Sequence, residues 1–114
     1  MTLYGIKNCD TVKKARKWLE TNQQSITFHD FREDGLDRAS LESWAETLGW
    51  EALFNKRSTS FRNLSEDEKA DLNQDKAIEL MCSYPTLIKR PILVHGDQVL
   101  VGFNAGKYQE LFTS

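Results

Sequence analysis

Hydrophobic positions along this chain recur at two different spacings, and the switches between them mark out its elements. Thr2 to Ile6 reads as a short strand, after which Asn8, Cys9, Asp10 and Thr11 supply cap-type residues ahead of the helical run KKARKWLETN. In that run Val12, Ala15, Trp18 and Leu19 recur at three- and four-residue spacing, which gives one apolar face, while Lys13, Lys14, Arg16 and Lys17 lie elsewhere. Ser25 to Phe31 alternates, with Ile26, Phe28 and Asp30 on one side, and its place after a helix predicts a parallel strand closing a βαβ unit. Leu36 opens a second helical stretch, in which Leu41, Trp44, Ala45 and Leu48 keep helical spacing until Gly49 supplies a stop.

The pattern is weaker beyond that point. FNKRSTSFRNL lacks a clean period and reads as a loop. Ser65, followed by Glu66, Asp67 and Glu68, forms a capping box that opens a short acidic helix, and a further helix runs from about Gln74 to Cys82, ended by Tyr84-Pro85. Pro91-Ile-Leu-Val, a turn at His95-Gly96-Asp97, and Gln98-Val-Leu-Val-Gly make a hairpin, and a last helix follows from about Ala105 to Phe112. The expected order is βα, βα, a helical insertion at about residues 36–84, ββ, α, an α/β fold on a mixed four-stranded sheet. With no repeat, low-complexity tract or linker, the chain is expected to be one domain over residues 1–114, without a second core in the insertion.

Composition removes several classes of function. Hydrophobic residues make up 39% and charged residues 28% of 114, an ordinary globular balance. Fifteen Lys and Arg against 17 Asp and Glu leave a net charge of −2, so no global field recommends a nucleic-acid or membrane partner. The start, MTLYGIKNCD, lacks a basic region followed by an apolar stretch, and a cytoplasmic location is expected. The two cysteines form no zinc spacing, no histidine pair suggests a metal site, and no metal is expected.

Cys9 is the leading candidate for chemistry. It stands where a strand breaks into a helix, and there the unpaired N–H groups and the positive dipole end favour a thiolate. Helix N-termini with nearby cations bring reactive cysteines below the ordinary thiol range. Lys13 is a candidate for such a cation. Read by its residues alone, Cys9 also fits a small buried side chain in a tight turn. Three positions on stands Val12, so there is no C-x-x-C pair, and turnover requires an outside thiol, for which glutathione is the abundant candidate. Cys82, beside Leu80 and Met81, reads as a buried structural cysteine, although sequence distance does not forbid its pairing with Cys9.

Arg90-Pro91 directly precedes the hairpin, where a proline fixes a bend that offers backbone groups to a ligand, or simply starts an edge strand. Arg57 lies in the cationic loop Asn55-Lys56-Arg57-Ser58-Thr59; a guanidinium there suits a carboxylate or oxyanion, and equally a solvated surface. His29 and His95 lack the spacing of a metal site or a base–nucleophile pair and read as structural.

Taken together, YGIKNCDTVKKARKWLE, FNKRST, LIKRPILV and VLVGF resemble the arsenate reductase-related family that includes the Spx regulators, most closely its YffB branch. The likeness runs nearly end to end. It implies a thioredoxin-like fold interrupted by a helical insertion, with Cys9 as nucleophile, Lys13 as the basic residue of the cysteine loop, and Arg57 and Arg90 as anion-binding arginines beside Pro91. Glutaredoxin-linked arsenate reductases of this family carry a third arginine where this chain reads Val101-Gly102-Phe103, and a histidine where it has Gly5. Those departures argue against efficient arsenate reduction. Spx proteins, by similarity, bind RNA polymerase, and many carry the C-x-x-C switch that Val12 eliminates here. The expectation is a glutathione-dependent monothiol reductase, with glutathione as co-substrate and glutaredoxin or another protein as a possible partner. The alternatives are an Spx-like adaptor and a weak arsenate reductase.

Overall fold

The computed structural model describes residues 1–113, and the chain separates into two compact units. The first joins Met1–Asp30 to the chain from Arg90 onward, and the second spans Phe31–Lys89.

In the first unit β1 (Thr2–Gly5) leads into α1 (Asp10–Thr21) and then β2 (Thr27–Asp30); β3 (Ile92–His95), β4 (Gln98–Val101) and α7 (Ala105–Thr113) complete it, and α2 to α6 belong to the second unit. The sheet order is β2-β1-β3-β4. β1 and β2 run parallel with Leu3 opposite Phe28, as the intervening helix requires, whereas β3 lies antiparallel to both β1 and β4. The expected mixed four-stranded sheet is therefore present, with the hairpin turning over Gly96-Asp97. Gly96 has φ of +60°, a left-handed conformation in which glycine carries no steric penalty.

Helical spacing on α1 translates directly into burial. Val12, Ala15 and Leu19 are fully buried, while Lys13, Lys14, Arg16 and Lys17 are exposed. Ala15 and Leu19 join Leu3, Leu93 and Tyr108 in one cluster, with Trp18, Phe28, Phe103 and Phe112 packed against it. Trp18 meets Tyr108 edge-on at 5.6 Å between ring centroids, and Phe103 meets the same tyrosine at 5.1 Å. The Arg16 guanidinium lies 4.3 Å from the centre of the Phe28 ring, so that even this polar position covers apolar surface.

The second unit is helical: α2 (Arg38–Leu48), α3 (Trp50–Leu53), α4 (Thr59–Arg62), α5 (Glu66–Lys69) and α6 (Gln74–Ser83), followed by a 3₁₀ turn at Pro85–Leu87. Leu41, Trp44, Leu53, Ile78, Met81 and Leu87 are buried. Ser65 forms the expected capping box, its Oγ accepting from Glu68 N–H at 3.1 Å while the Glu68 carboxylate accepts from Ser65 N–H at 2.9 Å. The stretch read as a loop departs from expectation, because it contains the single turn α4. Ser58 Oγ caps that turn by accepting from Phe61 N–H at 3.1 Å. One turn is too short to show a period, so only its cap betrays it.

Candidate functional site

Cys9 occupies the N-cap of α1 with φ −96° and ψ 125°, an extended conformation that turns the chain out of the sheet and into the helix. Two backbone bonds fix this corner: Cys9 N–H donates to Ile6 C=O at 3.2 Å, and Cys9 C=O accepts the first helical bond from Lys13 N–H at 3.0 Å. The preceding loop is tied down separately. Lys7 N–H donates to the Asp30 carboxylate at 3.1 Å, and Asp30, 3% exposed, is the one buried charged side chain among the described residues. The alternation of β2 had placed Asp30 on the Phe28 side, but nothing in the sequence showed that it would hold the thiol's loop.

The half-buried Cys9 thiol is held below its ordinary value of 9.0. Burial acts first and pushes it up; the N–H of Val12, the guanidinium of Arg90 and the N–H of Thr11 together outweigh that and pull it down. Donors so placed favour the anion, as expected for orphan N–H groups at a helix start.

The predicted site residues divide as follows. Cys9 and Arg90 interact, and the Nε of Arg90 is buried. Pro91 is buried, its peptide with Arg90 is cis, and its carbonyl accepts Gly102 N–H at 2.8 Å. Lys13 is exposed on α1 and is not among the groups acting most strongly on the thiol; its position supplies a backbone N–H to the cap instead. Arg57 lies in the second unit, exposed, with its N–H donating to Asn55 Oδ1 at 3.0 Å. The sequence missed the backbone of Thr11 and Val12, which no side-chain pattern reveals.

Cys82 is chemically the opposite of Cys9. Both are free thiols, but burial raises Cys82, and Glu42, Asp37 and Glu79 add to that against the lowering influence of Arg38. A thiol held protonated in this way is a poor nucleophile. His29 packs its ring on Tyr4 at 5.1 Å, and His95 meets Phe112 at 5.8 Å, so both histidines have ring partners.

Where the related reductases carry further polar groups, this chain has packing. Gly102, at φ +79°, ties its N–H to Pro91, and Phe103 packs on Tyr108. Gly5 is buried against Val12. No helix among the described residues is long and apolar enough to cross a membrane.

Comparison with known proteins agrees with this geometry. A solved structure of the YffB (PA3664) protein is 48% identical, with a TM-score of 0.93 over 96% of each chain. An arsenate reductase (ArsC) related protein from Brucella melitensis is 43% identical, with a TM-score of 0.76 over 99% of this chain and 94% of that one. The global transcriptional regulator Spx of Streptococcus pneumoniae is 28% identical over 91% of this chain and 79% of its own length. The fold is thus the thioredoxin-like one of these proteins. With the ArsC family pattern matching residues 4–111, the chain belongs to the ArsC family, which its relatives extend to the Spx regulators.

Proposed function

We propose that this chain is a thiol–disulfide oxidoreductase that works through Cys9 alone and uses glutathione to complete its cycle. One observation carries the reading: a half-buried cysteine at a helix start, held below its ordinary pKa by two backbone N–H groups and an arginine. The Cys9 thiolate attacks one sulfur of a disulfide, forming a mixed disulfide and expelling the other sulfur as a thiolate that takes a proton from solvent. A glutathione thiolate then attacks the mixed disulfide, restoring the Cys9 thiolate and leaving with the substrate's sulfur as a new disulfide. Arg90 stabilises the Cys9 thiolate in its resting and departing forms, and its guanidinium also suits a glutathione carboxylate. The Pro91 segment offers only the backbone that Gly102 leaves open. Arg57 and Lys13 enter this reading from the family resemblance alone.

The test is glutathione-dependent reduction of a small mixed disulfide, together with the pH profile of Cys9 alkylation. Turnover that is abolished in Cys9→Ser, with alkylation of wild type extending below the range of an ordinary thiol, is expected. An ordinary titration with no turnover would sink the proposal.

A second reading is favoured by the likeness to a global transcriptional regulator. On it, the chain is an adaptor that binds a protein such as RNA polymerase, and Cys9 is dispensable. A purified partner retained in stoichiometric amount by Cys9→Ser, without thiol turnover in wild type, would establish it.

A further inference from the structure

We propose that Gly5 is a positioning residue for the Cys9 thiolate, acting through the side chain of Val12. Gly5 ends β1 and is buried, and its backbone lies outside the left-handed region, so the conformation itself does not demand glycine. The space does. A Cβ built on Gly5 would stand 2.7 Å from one γ-methyl of Val12 and 3.3 Å from the other, far inside van der Waals contact. Val12 cannot swing away, because it is fully buried and β-branched, and its χ1 is stiff within a helix. The missing side chain at residue 5 is therefore what lets Val12 seat against the strand.

That seat sets the position of the first turn of α1. Val12 is the third residue of the helix, and its own N–H, with that of Thr11, is among the groups that favour the Cys9 thiolate. A displacement of the turn by a few tenths of an ångström moves both donors with respect to the sulfur, and hydrogen bonds to an anion weaken steeply with length and angle. Arg90 acts on the sulfur from a different segment of the chain. The pair Gly5 and Val12 thus serves the thiol through geometry.

The inference rests on Cys9 being the reactive thiol, and the experiment separates the two. The thiolate of wild type, Gly5→Ala, Val12→Ala and the double variant is titrated by its ultraviolet absorbance without any substrate, alongside iodoacetamide rates and thermal melting. Gly5→Ala is expected to move the midpoint to higher pH and slow alkylation several-fold at neutral pH. The double variant is expected to restore the wild-type midpoint, since the new Cβ then stands 3.6 Å from the Cβ of residue 12, an ordinary contact. If Gly5→Ala does not fold, Val12→Ala carries the test, because loss of the γ-methyls unseats the turn and raises the midpoint. A folded Gly5→Ala or Val12→Ala variant that melts lower yet titrates as wild type overturns the inference, as does a folded double variant that fails to recover. An unperturbed wild-type thiol overturns instead the proposed function.

Discussion

Replacing Arg90 by methionine removes the guanidinium while keeping much of the side-chain volume, and so asks how much of the thiolate's stability comes from one cation. A hydrogen bond to a charged group contributes about 1.5–3 kcal/mol when shielded. Cys9 is only half-buried, and solvent screening reduces that to roughly 1 kcal/mol, which corresponds to about a fivefold smaller acidity constant. The N–H groups of Val12 and Thr11 remain, so Arg90→Met should lose only part of the lowering. The assay is the second-order rate of alkylation against pH, with circular dichroism to confirm the fold. About a fivefold slower reaction is expected below the thiol's titration, with the two rates converging above it, where both proteins are fully ionised; the variant's more basic thiolate is then slightly the better nucleophile. A rate ratio that stayed constant across pH would refute the reasoning, since Arg90 would then act on access to the sulfur and not on its charge. The same interaction has a stability signature. Because the folded thiol lies below its unfolded value of 9.0, its contribution is fully present above that value and is lost as pH falls through the folded one. That component should shrink in Arg90→Met.

Three further outcomes follow from the structure. At neutral pH, Cys9 should be alkylated faster than Cys82, and Cys82→Ser should keep its turnover; equal labelling of the two peptides by mass spectrometry would contradict the opposite shifts of their thiols. Burial pushes Tyr108 from 10.0 to about 12, so the stability it contributes is present below pH 10 and lost as pH rises towards 12, by roughly 3 kcal/mol. Urea midpoints measured against pH should show this loss in wild type and not in Tyr108→Phe, whose cost at neutral pH is small because the hydroxyl's bond to Gly102 C=O is long at 3.5 Å. Ser65→Ala removes the Oγ half of the capping box, leaving the N–H of residue 65 to donate to the Glu68 carboxylate, and should lower stability by about 1 kcal/mol in the same denaturation assay.

The legible parts of this fold are those in which one element buries one face. On α1 the spacing of Val12, Ala15 and Leu19 survives unchanged as burial, and the hairpin and last helix begin and end within a residue or two of expectation. β2 is shorter than its alternation suggested, confined to Thr27–Asp30, because pairing with the four residues of β1 sets its length. Residues 50–64 were illegible for a different reason. The turn at Trp50–Leu53 is anchored at its end by bonds to distant residues, Asn55 N–H to Leu87 C=O and Lys89 N–H to Leu53 C=O, both 2.7 Å, and the turn at Thr59–Arg62 rests on the Ser58 cap; neither leaves a periodic trace. At the site, Cys9 and Arg90 drew attention through their side chains, whereas the N–H groups of Thr11 and Val12 carry no side-chain signal, and Lys13, exposed on α1, gives its N–H to the cap.

The positions that distinguish this chain from an arsenate reductase or an Spx regulator first registered as missing groups: a histidine absent at Gly5 and an arginine absent around Gly102 against the former, a second thiol absent at Val12 against the latter. In the structure each is occupied. The methyls of Val12 fill the side that Gly5 leaves open, so a second thiol introduced there would lie in the core with no exposure. Gly102 ties the Pro91 carbonyl, and Phe103 packs on Tyr108, so the third arginine's place is committed to holding the segment that carries Arg90. Restoring a group at Gly5 or Val12 by substitution therefore disturbs packing that the present site uses, and at Gly102 it strains a backbone held at φ +79°. With the core closed over the position three residues after Cys9, no second thiol stands in the first turn of α1, and the proposed cycle therefore draws on glutathione; the Gly5–Val12 contact tests the positioning of the thiolate on which that cycle depends.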